Sequence, residues 1–225
     1  MSSSMIWILL LVVMLLSMLI QSRLKSRFAK YSGVPVSLTG AEVANRMLQA
    51  HGIRDVNIVS VEGTLTDHYN PQTRTVNLSN DVYYGRSVAA AAVAAHECGH
   101  VLQHEAGYAP LKMRTALVPV VSFSNSWVSW VLVAGVACLN VFPSLIWIGI
   151  GLFALTTLFS FVTLPVEINA SGRAVAWLES AGITDAATRP MAVDALKWAA
   201  YTYVIAAIGS LATLLYYLSI GNRRS

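Results

Sequence analysis

The chain has 225 residues, of which 56% are hydrophobic and only 12% charged, with a mean hydropathy of +0.59. Soluble domains average about 45–50% apolar and 25% charged residues, so this balance excludes an ordinary soluble globule and points to a membrane protein. The net charge of +4 is not a basic stripe interleaved with aromatics, which argues against nucleic acid, and two dispersed cysteines, Cys98 and Cys138, exclude a disulfide scaffold.

The first apolar run, "MIWILLLVVMLLSMLI" (5–20), is close to the roughly 20 residues that a spanning helix needs. No basic residue precedes it, whereas Arg23, Lys25, Arg27 and Lys30 follow. Residues 1–22 therefore read as a retained anchor with its N-terminus outside, not as a cleaved signal.

A polar segment, 23–116, comes next. "TGAE" (39–42) matches a capping box, with Thr39 capping and Glu42 reaching back, and Gly52 is a natural stop for the helix it opens. "VNIVSV" (56–61) is β-branched and reads as a strand, and "TLTDHY" and "RTVNLS" around "NPQT" read as a β-hairpin over 64–79. "SVAAAAVAAHECGHVLQHEAG" reads as a helix from a Ser87 N-cap to Gly107, its alanines leaving room for close neighbours.

Residues 117–164 hold two further spans, at about 117–141 and 145–162. Ser122, Ser124, Asn125, Ser126 and Ser129 interrupt the first of these, so its front half also reads as an interfacial continuation of the preceding helix. A second polar segment, 165–200, leads to the last span and tail at 201–225. Four spans leave 21–116 and 163–200 on one side, and those segments hold thirteen of the fifteen Lys and Arg residues. The positive-inside rule puts that side in the cytosol, the membrane being the plasma membrane; Arg223 and Arg224 are the exceptions.

Within "HECGH", His96 and His100 stand four apart on the expected helix, so both imidazoles lie on one face, one turn apart, as two ligands of one zinc require. Glu97 is rotated by about 100° and can act beside the metal as the general base of an HExxH site. His104 continues the stripe, but it lies about 12 Å from His96 along a straight helix, too far to converge on the same ion. It reads as an outer partner or a surface residue. A third ligand must lie on the same side of the membrane, and in the second polar segment the candidates are Glu167, Glu179, Asp185 and Asp194. Glu167 stands immediately after the third span, where a carboxylate is costly unless paired, exposed or bound to metal. A snorkelling glutamate near Arg173 is the competing explanation.

"LTGAEVA", "LTDHYNPQTRTVNLS", "DVYYGRSVAAAAVAAHECGHVLQHEAGYAPLKMR" and "LPVEINASGRA" together resemble the YugP-type family of membrane zinc metallopeptidases over most of residues 37–210. More distantly the chain is similar to the HtpX and CAAX-prenyl protease group of zincins. The resemblance implies His96, His100 and Glu167 as Zn2+ ligands, Glu97 as base, and a mainly α integral membrane fold. Four transmembrane helices would accompany a small zincin-like α+β domain of β-hairpin plus HExxH helix. It also implies Ser171, four after Glu167, as a residue orienting a histidine, where the wider group has an Asp. "EINAS" departs from the family's usual "EFDAS", so Asn169 replaces an acidic residue whose loss would weaken zinc binding if its charge mattered. Leu65, Thr66, Asp67, His68 and Tyr69 fall where such enzymes pair a substrate strand.

The expected function is zinc-dependent hydrolysis of membrane or membrane-proximal polypeptides, with the lipid bilayer as the other partner. His68, Tyr69, Tyr83 and Tyr108 are oxyanion donors by residue type only. Rival functions are a zinc hydrolase of a non-peptide amide or ester, and a non-catalytic protein stapled by zinc. A transporter is disfavoured by the scarcity of ionisable residues in the spans.

Overall fold

A computed structural model of the chain describes residues 3–222, so Arg223 and Arg224 lie outside the described residues. The chain is mainly helical, with one small sheet. Four helices are long and apolar enough to cross a membrane: α1 (Ser3–Ser32), α5 (Ala109–Ala137), α6 (Ser144–Ser180) and α7 (Arg189–Gly221). The remaining elements are α2 (Gly40–Ala50), β1 (Asn57–Val61), β2 (His68–Asn70), β3 (Thr75–Ser79), α3 (Asn80–Tyr83) and α4 (Val88–Glu105).

The chain divides into two compact units, one formed by Ile20–Leu111 with Val166–Tyr201 and the other by the apolar remainder. The α5 helix is a single helix with its own start, because Gly107, at φ +61°, ends α4 before Ala109 opens the next helix. The front half of this span does not continue α4. Two of its serines make bonds that need no water. The Ser126 hydroxyl donates to the Ser122 carbonyl at 3.0 Å, and Ser124 donates to the Leu152 carbonyl of α6 at 2.8 Å. Polar groups satisfied in this way are tolerated in lipid.

The α6 helix runs unbroken through Pro165, so the third span and the segment after it belong to one helix. Thirty-seven helical residues extend about 55 Å, well beyond a hydrocarbon core of about 30 Å. The residues that follow the apolar stretch, Glu167 included, are therefore still helical.

In the unit Ile20–Leu111 with Val166–Tyr201, the sequence dictates the helix starts directly. Thr39 N–H donates to Glu42 Oε2 at 2.7 Å and Glu42 N–H to Thr39 Oγ1 at 3.1 Å, closing both halves of the capping box. The Ser87 hydroxyl accepts from Ala90 N–H at 3.2 Å, capping α4. The sheet has strand order β1-β3-β2, with β1 parallel and β2 antiparallel to β3. The β2–β3 turn closes on Asn70, whose Oδ1 accepts from Gln72 and Thr73 N–H at 2.9 and 3.3 Å. This pairing is shorter than the sequence suggests: His68–Asn70 form the strand, while Leu65 sits at φ +58° and breaks the extended run.

Val43, Ala44, Met47 and Leu48 of α2 pack on the alanine-rich face of α4, all of them buried. At Gly99, α4 approaches α6 backbone to backbone. A Cβ built on Gly99 would lie 2.6 Å from the Ala170 carbonyl oxygen. Only glycine permits this approach, and it sets the turn carrying His96 and His100 against the turn carrying Glu167.

Candidate metal centre

One ligand atom from each of His96, His100 and Glu167 lies within 4.8 Å of the other two, a group that could hold a metal ion. Glu167 Oε2 is 3.2 Å from His96 Nε2 and 3.6 Å from His100 Nε2. The two imidazole rings stand edge-on, with centroids 4.8 Å apart at 83°. Glu167 is 2% exposed, and a carboxylate so buried is costly unless a cation neutralises it.

The residues fit a divalent metal on the chemistry of this donor set. Burial opposes charging of His100, yet the negative charge of Glu167 and Glu97 beside it outweighs that and holds its pKa above the usual histidine value. Two nitrogens and one oxygen form the three-ligand set of zinc sites that leave a fourth position open.

The distal ring nitrogens are occupied as well. Ser171 Oγ lies 3.0 Å from His96 Nδ1. Gln103 Oε1 lies 3.1 Å from His100 Nδ1, and Gln103 Nε2 donates to the Val166 carbonyl at 2.7 Å and to Asn169 Oδ1 at 3.0 Å. Gln103 was not among the residues singled out from sequence. The available signal was its place three residues after His100 in the apolar stretch "HVLQ", where a polar side chain needs a reason.

Glu97 is 7% exposed on α4 and is not one of the three clustered residues. His104 is exposed and turned elsewhere, its Nδ1 3.0 Å from the Tyr69 hydroxyl. Beside it Glu105 pairs with Arg74 at 2.6 Å. Of the residues expected to pair a substrate, His68 and Tyr69 lie in β2, whereas Leu65, Thr66 and Asp67 precede it. Asp67 turns back to accept from Ser79 N–H at 2.8 Å and Ser79 Oγ at 3.1 Å, tying this loop to the end of β3. Burial pushes its carboxyl pKa up, and these bonds partly offset the rise. Tyr83 stacks edge-on against Tyr84, with ring centroids 4.8 Å apart. Tyr108 N–H caps α4 through the Gln103 carbonyl at 2.9 Å.

A helical protein with four candidate spans and a buried two-histidine, one-glutamate cluster has the parts of a membrane metallopeptidase. The chain belongs to the family described as "Putative neutral zinc metallopeptidase", whose model matches residues 6–222. It is 44% identical over 207 residues to the "Putative membrane protease YugP" of Bacillus subtilis (strain 168), covering 91% of each chain. No solved structure matches.

Proposed function

We propose that this protein is a membrane-embedded zinc endopeptidase that cleaves membrane or membrane-proximal polypeptides. The observation that carries this is the convergence of His96, His100 and Glu167, with Glu97 buried on the same helix but outside the cluster. A purely structural zinc site has no use for such a carboxylate.

Zinc held by the three residues would supply Lewis acidity toward water and a scissile carbonyl. Glu97 takes the proton of the attacking water and returns it to the leaving amine. Ser171 and Gln103 keep the imidazoles in place through their distal nitrogens. The peptide aligns along β2, an edge strand of the sheet, by main-chain pairing. Tyr69 ties that strand to α4 through His104, one turn beyond His100. Hydrolysis of a non-peptide amide would use the same ligands and base, but an edge strand favours an extended polypeptide. On detergent-purified protein, cleavage of unfolded casein is expected, lost with a zinc chelator and regained with added zinc. No cleavage of casein or of a panel of membrane proteins would refute the peptidase assignment.

The site faces the cytosol of a multi-pass plasma-membrane protein, on the charge bias of the polar segments. Cys138, exposed in the turn between α5 and α6, would then face outward. Cys98 is buried, which pushes its thiol pKa far above the usual range and leaves it unreactive. A membrane-impermeant maleimide should therefore label intact cells through Cys138 alone. Labelling only after lysis would invert the topology.

A further inference from the structure

We infer that Gln103, itself held by Asn169 and Arg173, dictates which nitrogen of His100 faces the metal and so acts as a positioning residue of the centre. This rests on the zinc site proposed above and names the residues that prepare it.

The direction of every bond in this chain follows from its far end. A guanidinium has donors and no acceptor. Arg173 Nε donates to Asn169 Oδ1 at 2.8 Å, so the Asn169 amide must present its oxygen there. Gln103 meets the same oxygen at 3.0 Å and the Val166 carbonyl at 2.7 Å. Both are acceptors, so Gln103 must present its NH2 group to them and uses both of its N–H bonds in doing so. Its own oxygen is left facing His100 Nδ1 at 3.1 Å. An amide oxygen only accepts, so Nδ1 of His100 carries the proton. In the neutral ring Nε2 is then the lone pair, and Nε2 is the atom aimed at Glu167. Gln103 is completely buried, so no water can substitute for it.

His96 has no such device. A serine hydroxyl both donates and accepts, so Ser171 fits either tautomer of that ring. The same chain assigns Asn169 a defined duty: it supplies a carbonyl-type oxygen between Arg173 and Gln103. An aspartate would serve there, and a leucine of similar size would not.

The test is zinc affinity, measured by chelator competition on the detergent-purified full chain for wild type, Gln103→Met, Asn169→Asp and Asn169→Leu. Gln103→Met is expected to bind zinc about 10–100-fold more weakly, the usual cost of losing an outer partner of a ligating histidine. Asn169→Asp should stay within about threefold of wild type and Asn169→Leu should lose about tenfold, since only the former keeps the oxygen. A packing role would reverse the Asn169 order, because leucine fills the space and aspartate buries a charge. Thermal unfolding in chelator separates lost stability from lost metal binding. Wild-type affinity in Gln103→Met, or equal affinities in the two Asn169 variants, would overturn the inference while leaving the zinc site intact. A wild type that binds no zinc would overturn both.

Discussion

Glu97→Gln is expected to lower peptide hydrolysis by about 10²–10⁴-fold, the usual contribution of a general base, while leaving zinc in place. The substitution keeps shape and removes only the capacity to take a proton. Glu97 follows His96 on α4, about 100° around the helix, and is absent from the three-residue cluster. The metal should therefore remain when its acid–base chemistry is gone. Cleavage rates and metal content, measured on the same preparation, check both halves. If zinc served only to staple α4 to α6, this variant would match wild type in stability and cellular function. Undiminished cleavage in Glu97→Gln would remove Glu97 from the mechanism.

The second large effect is expected at Glu167. Glu167→Ala should cost more zinc affinity than the roughly 10–100-fold attached to outer partners, because it deletes a ligand. The reason is geometric. Glu167 Oε2 is the atom that both imidazole Nε2 atoms face, at 3.2 and 3.6 Å, and without it two edge-on rings remain with no anion between them. Folding should suffer less than metal binding, because the close approach of α4 and α6 is made by Gly99 against Ala170 and not by the carboxylate. Chelator competition alongside thermal unfolding in chelator would show the difference. Equal zinc affinity in Glu167→Ala would place the third ligand elsewhere.

Features with local causes were legible in the residues. A capping box, a serine N-cap and an Asx-closed turn each involve groups within four residues, so "TGAE", Ser87 and Asn70 can be read directly. The pairing of His96 with His100 is likewise a property of one helix. What escaped depends on contacts between distant elements. The parallel pairing of β1 with β3 has no signature in either strand. Two serines of α5 are satisfied at the Ser122 and Leu152 carbonyls, the latter on another helix. The α6 helix continues through Pro165 into the segment that carries Glu167. Gln103 escaped for the same reason, since its partners at Val166 and Asn169 are more than sixty residues away. The departure "EINAS" also gains a structural meaning. At position 169 the visible requirement is an oxygen accepting from Gln103 and Arg173, which an amide supplies as well as a carboxylate.

The most direct test of the zinc site is elemental analysis of the detergent-purified wild type, before and after dialysis against a chelator and then with zinc restored. About one zinc per chain, lost to the chelator and regained, is the expected result, with the Glu167→Ala protein remaining largely empty under the same treatment. Absence of zinc from the wild type even after supplementation would contradict the assignment, and the cluster of His96, His100 and Glu167 would then be a buried ion pair without a metal.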